Sequence, residues 1–349
     1  MSDRPVFVIG CPRSGTTMLQ LMLHSHPRMA VPPETRFLMP AYYKRRSYGD
    51  LRDASRREAL AEWIAGDRST KFRELKIDKD EFIRQCVDGP GSLGSIIGTA
   101  FRMYAARFDK PRWGDKRPSY VKHTDLLLRL FPDAQFIHLI RDGRDCVASL
   151  KEMPWYTLDS FHAVSTWAEA IDAGGRLRRT LSEDSYLELR YEDLTDDPAT
   201  ELKKLCAFLD EDFAPSMVSP REAASVAVPE HKVWHSNTHG EVTRSRVGSW
   251  AKRLEPWEIA LCEHMLGDRL EANGYELTGA VPAAREHVAV CQKTMQRRRA
   301  SRLRKSMRDR LNRLREPSPV AAMLTSGQRA LAGVPQQRSE SPELAEHTG

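Results

Sequence analysis

No stretch of this 349-residue chain approaches the roughly 20 consecutive apolar residues of a membrane-crossing helix; its longest apolar runs, such as Val6–Gly10 and Phe136–Ile140, are strand-sized. No transmembrane segment is therefore expected. Cysteine is scarce and widely spread, with six residues at 11, 86, 146, 206, 262 and 291. None of the spacings is that of a zinc site or a disulfide framework, so reduced thiols and no metal are expected. No repeat of solenoid period is present. The opening Met-Ser-Asp-Arg-Pro runs straight into an apolar strand without the apolar core and small-residue cleavage site of a secretory signal, which leads to the expectation of a cytoplasmic protein. A basic stripe across the chain is missing too. Residues 293–315 hold 11 Lys and Arg against one Asp, so the rest of a chain whose net charge is +6 is acidic, at −4. That distribution argues against a nucleic-acid partner and leaves the basic segment as a possible peripheral membrane or protein contact.

What is present is an alternation of strand and helix signals. Pro5–Gly10 is rich in Val and Ile and bounded by Pro and Gly, and Gly15–His26 carries Met18, Leu19, Met22 and Leu23 at helical spacing. Residues 41–112 are charged, with helical periodicity around Leu60–Ile64 and Phe101–Phe108, and are expected to form a helical insertion capping a site. Asp125–Phe131 then reads as helix, Ala134–Ile140 as buried strand, Asp145–Leu150 as the start of a helix, Tyr186–Leu189 as strand and Pro198–Leu209 as helix. The pattern predicts an α/β fold with a central parallel sheet flanked by helices. Residues 1–280 form the expected catalytic domain, 281–316 a basic amphipathic helical tail with Leu303, Met307, Leu311 and Leu314 as its apolar stripe, and 317–349, rich in Ser, Pro, Gly, Gln and Glu, a disordered tail.

Gly10-Cys-Pro-Arg-Ser-Gly-Thr-Thr17 joins the first strand to the first helix, a junction that turns backbone N–H groups and the positive helix end toward one point. The spacing is that of a nucleotide-binding loop, yet Thr16 stands where the lysine of ATPases and GTPases follows the second glycine. Arg13, inside the loop, can supply the cation instead.

The run Pro-Arg-Ser-Gly-Thr-Thr-Met-Leu19, followed by His26-Pro27, resembles the 5′-phosphosulfate loop of sulfotransferases that use 3′-phosphoadenosine 5′-phosphosulfate (PAPS). Phe136–Ser149 resembles that family's 3′-phosphate motif, in which Arg141 ends a strand and Ser149 lies on the next helix. The resemblance spans roughly residues 5–275 and implies a P-loop sulfotransferase fold. It assigns Arg13, Ser14, Gly15, Thr16, Thr17, Arg141 and Ser149 to the nucleotide. Pro32-Pro-Glu-Thr-Arg36 is similar to the Glu-Glu-Thr-Arg segment of tyrosylprotein sulfotransferases, which implies Glu34 as catalytic base and Arg36 as a substrate contact, with Pro33 departing from the pattern. Trp113–Pro118 resembles the segment whose lysine assists the departing phosphate, which falls on Lys116. Leu189–Leu194 places Tyr191 by the adenine, and His235–Trp250 matches a loop over the nucleotide, with Ser236 stabilising the transition state and Arg246 contacting the nucleotide.

Each assignment has a plain structural alternative: Glu34 as an acid at a helix start, Lys116 as a partner of Asp115 or another acid, Arg141–Arg144 as a solvated turn. His24, His26, His123 and His138 are expected to be structural, although small-molecule sulfotransferases use a histidine base. The function expected is transfer of a sulfuryl group from PAPS to a hydroxyl acceptor on a peptide, glycan, lipid or small molecule, leaving adenosine 3′,5′-bisphosphate. The alternatives are a P-loop kinase using ATP, which needs the absent lysine, and a non-catalytic membrane-surface or scaffold protein acting through the basic helix.

Overall fold

The computed structural model of the chain describes residues 3–220, 243–279 and 281–323. Val6–Gly10 (β1) is buried at all five positions, with Val and Phe side chains on both faces, the signature of a central strand in a covered parallel sheet. Thr16–His24 (α1) follows at once. The other strands are Met29–Ala30 (β2), Arg112–Lys116 (β3), Gln135–Ile140 (β4) and Tyr186–Arg190 (β5). They lie in the order β2-β3-β1-β4-β5, every pair parallel, with Val6 opposite Gly114 on one side and Gln135 on the other. This is the α/β architecture read from the sequence.

Two strands were hidden, the two-residue β2 and the longer β3. β3, Arg-Trp-Gly-Asp-Lys, has almost no apolar character, and the sequence reading ran the helical insertion into it at residue 112. It is nevertheless buried along its whole length. The reason is that its polar groups are paired. The Arg112 guanidinium is fully enclosed and donates to the Arg4 carbonyl at 2.9 Å, the Leu209 carbonyl at 2.7 Å, Glu211 at 3.2 Å and the Gln135 side chain. Partners from three separated segments therefore allow a strand that hydrophobicity alone cannot announce.

Between β2 and β3 stand Leu38–Tyr43 (α2), Ala54–Gly66 (α3), Lys79–Asp88 (α4) and Leu93–Ala106 (α5). Asp53, Asp78 and Ser92 start the last three with side chains that accept from backbone N–H groups. Thr124–Leu130 (α6), Gly143–Lys151 (α7), Ser160–Thr180 (α8), Tyr191–Asp196 (α9), Pro198–Leu209 (α10), Pro256–Glu271 (α11) and Arg285–Arg313 (α12) complete the helices among the described residues.

The carboxyl-terminal helix is fastened to the rest of the fold. Cys291 of α12 is buried, and Arg298 pairs with Glu169 of α8 at 2.7 Å. Arg45, just after α2, is buried between Asp309 at 2.8 Å and Glu316 at 2.5 Å. Residues 317–323, expected to be disordered, lie against α5. The carbonyls of Pro319 and Val320 accept from the N–H groups of Leu93 and Gly94, and Ala322 donates to the Leu130 carbonyl at 2.7 Å. The first N–H groups of a helix have no partner within it, so an irregular segment that supplies carbonyls there is held by them, and Val320 is buried in the core beside them. Residues 324–349 lie outside the described residues.

Removing the shared cation should expose this dependence. Arg45→Ala leaves Asp309 and Glu316 partly buried beside Arg313 and Arg129, which still pair with them. The expected loss is about 3 kcal/mol, the low end for breaking a buried pair, read by urea unfolding, with faster hydrogen exchange at Leu93 and Gly94.

Candidate active site at the carboxyl end of the sheet

β1 ends at Gly10 and α1 begins at Thr16. Between them Arg13 has φ 75° and Gly15 φ 92°, so the chain turns sharply and presents its amide groups inward. Glycine is required at two points for space as well. A Cβ on Gly15 would fall 2.4 Å from Cδ2 of Tyr191, and one on Gly10 would fall 2.6 Å from the Leu139 carbonyl oxygen. The first turn of α1 carries no acidic residue, which leaves its positive end uncompensated. The Ser14 hydroxyl is wholly buried and has no hydrogen-bond partner among the described residues. Such a group costs free energy unless a ligand engages it.

The second motif closes on the first. Arg141 follows β4 directly, and Asp142 caps α7 by accepting from the Arg144 N–H at 2.8 Å. Arg13 Nε donates to Ser149 Oγ at 3.0 Å, and Arg141 Nη1 donates to the Arg13 carbonyl at 3.1 Å. The Arg141 guanidinium also stacks 4.5 Å above the Tyr191 ring and donates to the Arg246 carbonyl at 2.5 Å. Its Nε is buried and unpartnered among the described residues. Arg13, Ser14, Gly15, Arg141, Ser149, Tyr191 and Arg246 thus share one corner. Arg246 joins it through its main chain, and its side chain is exposed. Burial, and then the neighbouring Arg141 charge, lower the Arg13 guanidinium from its ordinary value. An enclosed guanidinium whose charged state a neighbouring cation weakens favours an anion beside it.

Sequence reasoning missed the residue that holds this corner to the later loop. Asp145, fully buried, accepts from Gly248 N at 3.0 Å, Trp250 N at 2.8 Å and Ser249 Oγ at 3.0 Å while lying 3.4 Å from Arg141. An acid three residues into a helix after an Arg-Asp-Gly turn was the available signal. Ser236 lies outside the described residues.

The third group stands where β1, β3 and the segment after β2 meet. Gln20 Nε2 donates to the Pro32 carbonyl at 2.7 Å and so fixes the turn that carries Glu34. Lys116 Nζ lies 3.4 Å from Glu34 Oε2 and 3.4 Å from Thr17 Oγ1. Arg117, which the sequence reading passed over, places Nε 3.8 Å from Glu34 Oε1. The cations beside the Glu34 carboxylate are therefore Lys116 and Arg117. Arg36 is exposed, and its backbone N–H donates to Thr70. α2 begins at Leu38 without an acid in its first turn, Asp115 accepts from the Lys116 backbone N–H at 2.9 Å and the Tyr120 hydroxyl at 2.8 Å, and the acid that the Lys116 side chain meets is Glu34.

The histidines are engaged elsewhere. His24 Nδ1 accepts from Val31 N, and burial, with Lys110 nearby, lowers this imidazole to about 4. His26 bridges the Arg28 N–H and the Asp212 carbonyl, and His138 sits 2.8 Å from the Tyr186 hydroxyl. Burial, then Lys122, lowers His123 to about 4, and its Nδ1 lies 3.2 Å from the Tyr43 hydroxyl. Among the described residues no cluster of His, Cys, Asp and Glu has the makings of a metal site.

A parallel sheet with an arginine-bearing phosphate loop at β1 and an arginine-to-serine clamp after β4 defines a class of group-transfer proteins. The chain belongs to the sulfotransferase family, whose pattern it matches over residues 5–215. It is 27% identical over 213 residues to the protein-tyrosine sulfotransferase of Drosophila melanogaster, covering 59% of this chain and 38% of that protein. It is also 27% identical over 211 residues to protein-tyrosine sulfotransferase A of Caenorhabditis elegans, covering 59% of this chain and 49% of that one. The matched region is thus less than half the length of either relative. In fold, it superposes with a TM-score of 0.57 on the sulfotransferase domain of the Synechococcus PCC 7002 olefin synthase, at 24% identity, over 79% of this chain and 97% of that one. The sulfotransferase domain from the curacin biosynthetic pathway gives 0.52 at 21% identity, over 79% and 99%.

Asp115 offers a pH test of the site's packing. Burial first, with Glu34 adding to it, pushes its carboxyl up to about 6 despite the Tyr120 hydrogen bond and Arg117. An acid whose folded value is raised binds its proton more tightly in the native state. Stability therefore falls as pH rises from about 4 to about 6, and the full cost, roughly 3 kcal/mol, applies above that window. Asp115→Asn keeps an acceptor for the Lys116 N–H and a partner for Tyr120. Its stability relative to the parent, followed by urea unfolding, should improve between pH 4 and pH 7; an unchanged difference would refute the assignment.

Proposed function

We propose that this protein is an enzyme that transfers a sulfuryl group from PAPS to a hydroxyl acceptor. The observation that carries the reading is the hydrogen bond from Arg13 Nε to Ser149 Oγ at 3.0 Å. It joins the phosphate loop to the second clamp across 136 residues of chain. Two separate anion sites at one sheet edge suit a nucleotide with phosphates at both the 5′ and 3′ positions, whereas an ATP-using kinase needs only the first. The orphaned Ser14 hydroxyl and the unpartnered Arg141 Nε support the fit.

On this reading Arg13, Ser14, Gly15, Thr16 and Thr17 hold the 5′-phosphosulfate. Arg141, Ser149 and Arg246 hold the 3′-phosphate, and Tyr191 offers its ring to the base. PAPS supplies an activated sulfuryl group with a phosphate leaving group. Glu34 takes the proton of the acceptor hydroxyl as its oxygen bonds to sulfur, and Lys116, 3.4 Å from Glu34, balances the negative charge that gathers on the departing phosphate. Arg117 joins the proposed set as the second cation on Glu34. The names of the two protein-tyrosine relatives support a phenolic hydroxyl on a peptide as acceptor, with Arg36, exposed beside Glu34, available to meet it.

Adenosine 3′,5′-bisphosphate should raise the unfolding temperature, whereas ATP with Mg²⁺ should raise it little; the opposite ranking would favour the kinase reading. With labelled PAPS and a peptide acceptor, Glu34→Gln should lower kcat about 100-fold or more with bisphosphate affinity intact. Arg141→Ala should weaken that affinity about tenfold or more, as expected for lost charged hydrogen bonds. Reversal of the two effects would overturn the assigned roles.

A further inference from the structure

Helix α12 is committed on one side and bare on the other. Contacts fix the inward side: Cys291 is buried, Arg298 and Arg302 pair with Glu169, Asp309 with Arg45, and Arg313 with Asp125. At 3.6 residues per turn the opposite side carries Leu303, Met307, Leu311 and Leu314 in a stripe about 16 Å long. They are 57%, 64%, 65% and 81% exposed. Arg304 and Arg308 border this stripe on one edge, Arg299 and Arg310 on the other. All four arginines are exposed, and none has an ion pair among the described residues. No helix among the described residues is long and apolar enough to cross a membrane.

We propose that this outer face docks on an anionic lipid bilayer, with α12 lying in the plane of the interface. Large apolar side chains bracketed by two rows of arginine suit that location: the stripe enters the acyl boundary while the guanidiniums reach lipid phosphates. Charge complementarity selects this occupant over the others. A second copy of the chain would bring two arginine-lined faces of one sign together. Nucleic acid would meet the rows of charge but leave four large apolar side chains against phosphates. A stripe one side chain wide also falls short of the roughly 800 Å² per partner of a stable protein interface. This proposal is independent of the sulfotransferase chemistry.

The test is co-sedimentation of the full chain with vesicles of phosphatidylcholine alone or with about 30% phosphatidylglycerol. Binding to the anionic vesicles is expected, at least about tenfold weaker on neutral ones and in high salt. The combined Leu303→Ser, Met307→Ser, Leu311→Ser and Leu314→Ser variant should lose about tenfold or more in vesicle affinity while keeping its unfolding temperature and bisphosphate affinity, because these side chains are exposed. Absence of binding to anionic vesicles would overturn the proposal. So would undiminished binding by the serine variant, which would mean adsorption by charge alone, or a wild-type dimer that the serine substitutions convert to monomer.

Discussion

The Arg141 guanidinium is the hub on which the active corner depends. It is enclosed, yet it touches the phosphate loop through the Arg13 carbonyl, the later loop through the Arg246 carbonyl, the helix after β4 through Asp145, and the Tyr191 ring. Trp167 of α8 donates to the Arg141 carbonyl at 2.9 Å and so fixes the backbone from which the side chain projects. One side chain thereby sets the spacing of four chain segments. Its planar, forked donors make this possible, since a lysine could not meet two carbonyls and an aromatic face at once.

Around that hub positive charge is kept in low-dielectric surroundings and only partly neutralised. Asp145 offsets Arg141 but spends most of its acceptor capacity on Gly248, Ser249 and Trp250. Arg13 donates to the Ser149 hydroxyl, an acceptor without charge. A second cationic group, Lys116 and Arg117 around Glu34, stands across α1 from the first. On the proposed reading this arrangement separates anion capture from proton handling, with α1 and its uncompensated amino end between them.

Much of this was legible because the relevant signals were local. A glycine-bounded apolar run, a helical spacing and the missing lysine announced the phosphate loop, and the strand that ends at Arg141 was equally plain. What stayed hidden depended on partners far along the chain. Arg112–Lys116 does not look like a strand until Glu211 and Gln135 are known to meet Arg112. Arg117 looked like one more surface cation, and Asp145 like one more helical acid, until their partners came into view. Composition misjudged residues 317–323 for the same reason: the groups they satisfy belong to a helix that begins at Leu93.

That last contact ties the order of synthesis to the order of folding. Met323 donates to Ser95 across 228 residues, so the amino end of α5 is made long before its acceptors. While the chain grows, water must stand in for the carbonyls of Pro319 and Val320, and the helical layer over the sheet stays open at one edge. Contacts of such long sequence separation form late because the loop they close is costly in entropy. The layer can therefore assemble early, but its seam is sewn only once residues 319–323 have been made.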